Sequence, residues 1–374
     1  MRFLQGNFAV EVKNGRLNGS SKDVEQRQGS GLENICYTKK IRSNEGVFPY
    51  ASAQHVKKNI KEMLNEKGYK LSTIKALGES KKTQDGAKVS QKSASEGNPY
   101  YNIDENIMGF MNADSIDLTE EEYNDLDKIS QFGFKKETKK GKISYKKNIT
   151  KKRKAALMLT PLQAIGHTRI EKEYCTKQTD KNPMIYTKEI YSTNMSSTFN
   201  LNISQVGRFT ESDDTCGFRD YNIKEAKILK EKLGVDSLNH NKETRFNCIR
   251  DLLKAIQHYN SKICTANNLE DLNSKFIILC EYSIGNNIFC NIFKNHELNI
   301  DYLTEAINEN EDYRLSKIYI GVRSGFMTNK ETGKDLKNII IEAFGEDDRF
   351  KIGSVQNAFD GYLEYLNETL EELD

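Results

Sequence analysis

Residues 35–64, ICYTKKIRSNEGVFPYASAQHVKKNIKEML, decide how the rest of the chain is interpreted. They predict a strand over 37–42 and a helix over 52–67, joined by a turn through Gly46 and Pro49. Ser52 is expected to cap the helix, because its hydroxyl can accept from an orphan backbone N–H. One face of the helix is apolar at i, i+4, i+7 and i+8, and the opposite face carries Gln54, Lys57, Lys58 and Lys61.

Two interpretations of this basic helix are open from the residues alone. The open N–H groups of a helix start favour an anion, and cations lie on both sides of this one. A phosphate-binding surface is therefore one interpretation. The other is an ordinary solvated basic face.

Further short motifs follow in a fixed order along the chain. Pro-Tyr-x-Ser-x-Gln occupies 49–54, ahead of the basic helix. The others are Leu17-Asn18 after the first strand, IMGFM at 107–111, KRK at 152–154, TPL at 160–162 and SQVGRF at 204–209. In this order they resemble the repeated backbone subunits of type I CRISPR effector (Cascade) complexes, and within that RAMP superfamily the DevR-like branch of type I-B systems. On the basic helix, lysines occupy positions where that family often has arginines, so bidentate contacts to phosphates are less expected.

The resemblance implies an α+β fold. Residues 1–67 and 150–374 would form a ferredoxin-like, RRM-type antiparallel sheet, the palm. Residues 68–149 would be a partly mobile helical insertion, and a projecting β-hairpin, the thumb, is placed near 168–191. The hydrophobic pattern alone supports only two substantial helices against a sheet.

The resemblance also implies a non-catalytic subunit that binds the guide RNA (crRNA) in antiviral defence. It would oligomerise head-to-tail along the crRNA as a filament and present the crRNA for pairing with target DNA, beside other effector-complex subunits. Contacts to phosphates suit a protein that must accept any spacer sequence. The residues expected to bind RNA are Asn18, Lys39, Lys40, Arg42, Ser52, Gln54, Lys57, Lys58, Lys61, Lys151, Lys152, Arg153 and Lys154.

A RAMP-type ribonuclease that processes the guide or cuts target RNA is the alternative. His55 in the basic helix could act as an acid or base, and Asp23, Glu25 and Glu33 follow the first strand. No Walker loop, G-x-G-x-x-G, H-E-x-x-H or G-x-S-x-G is present. We therefore expect a protein that is not an enzyme and needs no cofactor or metal. A weaker third alternative is a basic module that binds duplex nucleic acid or ribosomal RNA.

Charge and composition fit a polyanion-binding protein of a reducing cytoplasm. The net charge of +2 conceals 36 Lys/Arg against 24 Asp/Glu in residues 1–210, and 20 against 30 in the remainder. Such halves suit a polyanion on one side and head-to-tail association of copies. The seven cysteines show no C-x-x-C pair, and no apolar leader or membrane span is visible, so we expect a cytoplasmic protein without membrane partners.

The remaining elements follow from hydrophobic periodicity and composition. Residues 81–98 are rich in Lys, Ser, Gly and Gln and are expected to be a mobile loop. A polar hairpin is predicted from strands 168–174 and 184–192. The other expected elements are strands over 3–12, 199–206, 275–282 and 317–322, and helices over 243–263 and 355–373.

Overall fold

The computed structural model describes residues 1–18, 35–77, 81–82, 88–89, 92–112, 115–126, 131, 134–139, 142–148, 150–214, 217–260, 269–329 and 332–371. The strands are β1 Phe3–Gly15, β2 Ile35–Cys36, β3 Lys40–Ser43, β4 Gly46–Ala51, β5 Lys75–Leu77, β6 Lys81–Lys82, β7 Lys88–Val89, β8 Lys92–Ala94, β9 Phe110–Asn112, β10 Ser115–Thr119, β11 Lys135–Lys139, β12 Lys142–Asn148, β13 Lys151–Arg153, β14 Leu157–Leu159, β15 Leu162–Ala164, β16 Ile170–Lys177, β17 Met184–Asn202, β18 Phe276–Tyr282, β19 Phe293–Lys294, β20 Glu297–Leu298, β21 Ile318–Val322 and β22 Phe350–Gly353. The α-helices are α1 Ala53–Glu66, α2 Ile103–Met108, α3 Glu120–Asn124, α4 Ile223–Leu233, α5 Lys242–Gln257, α6 Ile300–Glu309, α7 Leu336–Phe344 and α8 Val355–Thr369, and a 3-10 helix spans Glu311–Tyr313.

The chain divides into two compact units. Unit 1 comprises Met1–Lys67, Leu157–Ser204 and Phe246–Asp374, and unit 2 comprises Gly68–Ala156 and Gln205–Arg245. Unit 2 thus includes residues 150–156 and 205–245, which the sequence analysis assigns to the palm. Within the expected mobile loop 81–98, residues 83–87 and 90–91 lie outside the described residues, so its mobility stays a prediction.

A large, mainly antiparallel sheet forms the centre of unit 1. Its strands run in the order β22, β21, β18, β1, β17, β15, β4, β3, and β2, β14 and β16 also pair with β17. Strand β1 lies between β17 and β18 and is antiparallel to both. The α+β class is confirmed at this level, as a large sheet combined with helices.

Strand β1 is buried along most of its length, because side chains from other elements cover both of its faces. Successive side chains of a strand point to opposite faces. Phe8 packs beside Phe199 and Tyr259, with ring centroids 6.5 and 6.3 Å apart. Ala9, its neighbour in the chain, belongs to the apolar cluster that includes Leu303 of α6 and Ile340 of α7.

A buried ion pair joins the start of β1 to the last helix. The Arg2 guanidinium donates to Glu281 in β18 at 2.8 Å and to the Thr369 carbonyl at 2.8 Å. Tyr362 of α8 donates its hydroxyl to the same carboxylate at 2.8 Å. These bonds satisfy a carboxylate that is wholly buried.

The prediction that the turn runs through Gly46 and Pro49 is wrong, because the turn is shorter and ends before Gly46. The chain reverses at residues 44–45, and Gly46–Ala51 is already a strand that pairs with β3. Pairing of β4 with β15 involves only Tyr50 and Ala51. Pro49 therefore lies before that ladder begins, where its missing N–H leaves no sheet hydrogen bond unmade.

Most other predicted elements are confirmed with shifted ends. Strand β16 pairs with the first part of β17 as a hairpin, from Ile170 opposite Tyr191 to Lys177 opposite Met184. Strand β17 is one strand of 19 residues that ends at Asn202, so the separate strand expected over 199–206 is wrong. Helix α5 ends at Gln257, short of the predicted residue 263.

Candidate nucleic-acid interface

Helix α1 fixes which way its cations point. Ser52 is the N-cap, as predicted, and its hydroxyl accepts from the His55 N–H at 3.3 Å. Val56, Ile60 and Leu64 are buried and anchor the opposite face in the core of unit 1. In the polar row, Gln54 and Lys58 are exposed, whereas Lys57 and Lys61 are half-buried.

The cations of this helix raise the local positive potential enough to act on their neighbours. Burial, together with the charge of Lys61, lowers the pKa of Lys57. Burial lowers the pKa of His55, and the charges of Lys58 and Lys39 lower it further, against an opposing effect of Glu62. An anion placed here would relieve this repulsion.

Strand β3 and the residues before it present two exposed cations, Lys39 and Arg42. Lys40 is different. Its Nζ lies 2.7 Å from Glu189 Oε1, and both side chains are less than a tenth exposed. The other carboxylate oxygen of Glu189 accepts from the Thr38 N–H at 2.9 Å. Lys40 therefore holds this segment against β17, and its ammonium is already bound by a carboxylate.

Asn18 has a similar internal role. It is 5% exposed. Its amide donates to the Tyr50 carbonyl, and its Oδ1 accepts from the Thr38 hydroxyl at 3.2 Å and from the Lys39 N–H at 3.1 Å. Three separate segments of unit 1 thus meet at Asn18. The contact with Lys39 positions a cation beside helix α1.

The basic run 151–154 belongs to unit 2, and its side chains have different surroundings. Arg153 is buried and pairs with Asp220 at 2.7 Å. Lys151 binds Glu225 at 3.2 Å, and Lys152 lies 5.3 Å from the centre of the Phe218 ring. Lys154 is exposed.

Arg153 is saturated by hydrogen bonds. Its guanidinium also donates to the carbonyls of Asn106 at 2.9 Å, Arg208 at 3.0 Å and Gln205 at 2.7 Å. Five guanidinium N–H groups are available in an arginine, and unit 2 uses most of them internally. Arg153 organises unit 2.

Glu189 is a functional neighbour that sequence reasoning missed. It lies 149 residues from Lys40 and contacts it because β2, just before Lys40, pairs with β17 in parallel. A partner that distant leaves no local pattern. Within β17 itself, Glu189 lies between Lys188 and Ile190, in the second predicted strand of the polar hairpin.

Neither a metal centre nor a membrane-spanning helix lies in the part of the chain that the structure describes. There, no group of three or more His, Cys, Asp and Glu side chains is placed to hold a metal ion. Asp23, Glu25 and Glu33 lie outside the described residues. None of the helices within the described ranges is long and apolar enough to cross a membrane.

Comparison with known proteins gave matches among solved structures alone. No family model and no curated protein matches the chain. One similar solved structure is a chain of a "CRISPR RNA-guided surveillance complex", with a TM-score of 0.46 and 9% identity. Another comes from a "CRISPR RNA-guided surveillance complex, pre-nicking", with a TM-score of 0.48 and 9% identity. Each alignment covers 97% of this chain and 99% of the other chain.

Proposed function

We propose that this chain is a non-catalytic backbone subunit of a CRISPR surveillance complex, which binds crRNA through phosphates and presents it for pairing with target DNA. The observation that carries the proposal is the outward polar face of helix α1, capped at Ser52, where burial and then the charge of Lys61 lower the pKa of Lys57. The order of motifs that resembles the DevR-like family supports the same function. Its partners would be crRNA, other copies of the chain and other subunits of the complex.

The predicted RNA-binding residues fall into two groups according to the contacts that they make in the structure. Exposed or half-buried groups would contact phosphates directly: Lys39, Arg42, Ser52, Gln54, Lys57, Lys58 and Lys61, with Lys152 and Lys154 as further candidates from unit 2. Asn18, Lys40, Lys151 and Arg153 would act indirectly, because each is bound to other groups of the protein.

The hairpin of β16 and β17 would be the thumb of an RRM-type palm. Residues 176–185, at its far end, are all exposed. Tyr174 is 81% and Ile185 65% exposed, and such large apolar side chains at a hairpin end favour a contact partner. RNA or a neighbouring copy along the filament would supply that contact.

The test measures RNA binding by a Lys57→Ala/Lys58→Ala variant over a salt series. Each phosphate contact to single-stranded RNA contributes roughly 0.7 to the slope of log K against log salt. Loss of two contacts should flatten the slope by about 1.4 and weaken RNAs of unrelated sequence alike. An unchanged slope and affinity would show that this helix is not the phosphate site.

A matched control removes the same charge elsewhere. Lys224 and Lys232 are exposed on helix α4 of unit 2. Lys224→Ala/Lys232→Ala changes the net charge equally and should leave the salt slope unchanged. Equal weakening by both double variants would mean that net charge alone governs binding.

A further inference from the structure

A polar cavity in unit 1 lies beside the basic hairpin of β3 and β4. Its volume is about 570 Å³, which is within the roughly 300–1,000 Å³ of small-molecule sites. Phe48 of β4 and Phe293 of β19 both line it, and neither ring is fully buried. Two aromatic rings in one cavity are suited to a flat, conjugated ligand.

Neutral hydrogen-bonding groups make up most of the remaining polar lining. Gln163, Ser196, Asn291 and Asn295 face the cavity, and none of them has a side-chain hydrogen-bond partner within the described residues. Amides and hydroxyls can both donate and accept. The charged lining residues, Glu45 and Lys294, are exposed. A ligand here would meet neutral donors and acceptors.

The walls of the cavity are fixed to one another through residues 165–168. His167 Nδ1 accepts from the Val47 N–H at 3.0 Å, and Thr168 N–H donates to the Val47 carbonyl at 2.9 Å. On the other side, His296 N–H donates to the Ile165 carbonyl at 3.2 Å, and its Nε2–H donates to the His167 carbonyl at 2.9 Å. A site that is already ordered loses less entropy when it binds.

The wall beyond β17 has an unusual backbone. Asn291, Asn295 and His296 all have positive φ, at 59, 50 and 67°. The last two form the tight turn between β19 and β20, where a turn with two positive φ values matches the twist of the strands. The turn places Asn295 in the lining of the cavity.

We propose that this cavity binds a nucleobase, stacked against Phe48 and hydrogen-bonded by Gln163, Ser196 and the asparagines. The amides can rotate to present either a donor or an acceptor, so the site accepts any base. The identification of the occupant as a base of bound RNA rests on the function proposed above. A free nucleotide would use the same chemistry.

The first experiment separates the base from its sugar phosphate. AMP, UMP and ribose 5-phosphate are titrated into the whole protein without RNA, with calorimetry as the readout. Binding of both nucleotides, and weaker binding of ribose 5-phosphate, is expected if free nucleotides are ligands. Equal binding of all three would overturn the proposal, since the base would then contribute nothing.

The second experiment uses RNA of one length with and without abasic residues. Stacking of a base on an aromatic side chain contributes about 5- to 150-fold in affinity. We expect the RNA with bases to bind more tightly than the abasic RNA. Phe48→Leu should remove most of that difference, and Phe48→Tyr should keep it.

Two further variants test the same site in case the Phe48 variants misfold. Gln163→Ala and Ser196→Ala remove side-chain groups that have no hydrogen-bond partner among the described residues, so both variants should fold normally and still weaken the preference for bases. Thr328→Ala, in the adjacent cavity, is the control and should change nothing. If none of the Phe48, Gln163 and Ser196 variants alters binding of any probe, the cavity is not a nucleobase site.

The experiments distinguish failure of the nucleobase site from failure of the guide-RNA function. RNA binding with the expected salt slope, but no effect of the cavity variants, removes the cavity and leaves the phosphate surface. Nucleotide binding that depends on Phe48, without any affinity for longer RNA, supports the cavity and contradicts the guide-RNA function.

Discussion

Helix α1 and the run 151–154 are both lysine-rich, yet the lysines of α1 face outward whereas Arg153, at the centre of the run, is bound inside unit 2. In α1, buried Val56 and Ile60 turn the lysines outward, and burial followed by the charge of Lys61 lowers the pKa of Lys57. In the run 151–154, Arg153 is buried and bound by Asp220 and three carbonyls. Charge counted along a sequence is therefore different from charge available to a ligand. Lys58 also pairs with Glu62, at 3.7 Å, but its side chain stays 69% exposed, whereas the Arg153–Asp220 pair is buried. What decides is therefore whether the cation is buried together with its partners.

The largest effect should come from removing Arg153. Arg153→Ala leaves Asp220 buried without its partner and frees three carbonyls, so the free energy of unfolding of unit 2 should fall by about 3–5 kcal/mol. Urea unfolding followed by hydrogen exchange in residues 97–112 and 217–230 would measure it. Lys154→Ala, one residue away and exposed, should stay within about 0.5 kcal/mol.

Arg153→Lys makes this comparison sharper. Lysine keeps the charge but lacks the planar fork that reaches Asp220 and the carbonyls together. It should recover only a small part of the lost stability. Full recovery would show that charge at this position matters more than the hydrogen-bond geometry, and that Arg153 is closer in kind to the lysines of α1.

These contrasts show which features of the fold and the site can be predicted from the sequence. The amphipathic period of α1 predicts its polar face and Ser52 as its cap, because both depend on residues within one helix. The partners of Lys40 and Arg153 lie 149 and 67 residues away, and only strand pairing brings them close. The cavity walls come from four distant segments, so no local pattern signals them. The prediction that Pro49 lies in a turn is wrong for a related reason. Whether the missing N–H of a proline costs a sheet hydrogen bond depends on which strands lie beside it.

The next largest effect is the pH dependence of the free energy of unfolding that His55 produces. Its pKa lies below the ordinary value of 6.5, because burial and the charges of Lys58 and Lys39 disfavour the imidazolium. The unfolded chain binds that proton more readily. The free energy of unfolding should therefore be level above about pH 6.5 and decrease as the pH falls below it. His55→Gln should remove this part of the decrease.

RNA should reverse the effect of pH at the same residue. A bound phosphate stabilises the imidazolium and raises the pKa of His55, so RNA affinity should increase as the pH falls below 6.5. Each unit of pKa rise corresponds to about tenfold in affinity. Titrations at constant ionic strength should show this in the wild type but not in His55→Gln. An identical pH dependence in both proteins would place the phosphate away from the start of α1.

The smallest expected effect is cleavage of bound RNA, which we expect not to occur. A basic face that binds phosphates becomes a nuclease only if an acid and base, or a metal, are aimed at the scissile bond. His55 has one ring nitrogen, Nε2, 3.1 Å from Asn59, which is buried and bonded to Tyr259 at 2.8 Å. One side of the ring is thus turned into the protein. We expect labelled guide and complementary RNA to remain intact with Mg²⁺ or Mn²⁺, as in an EDTA control. Cleavage that disappeared in His55→Ala or Asp23→Ala would show that this face cuts what it binds.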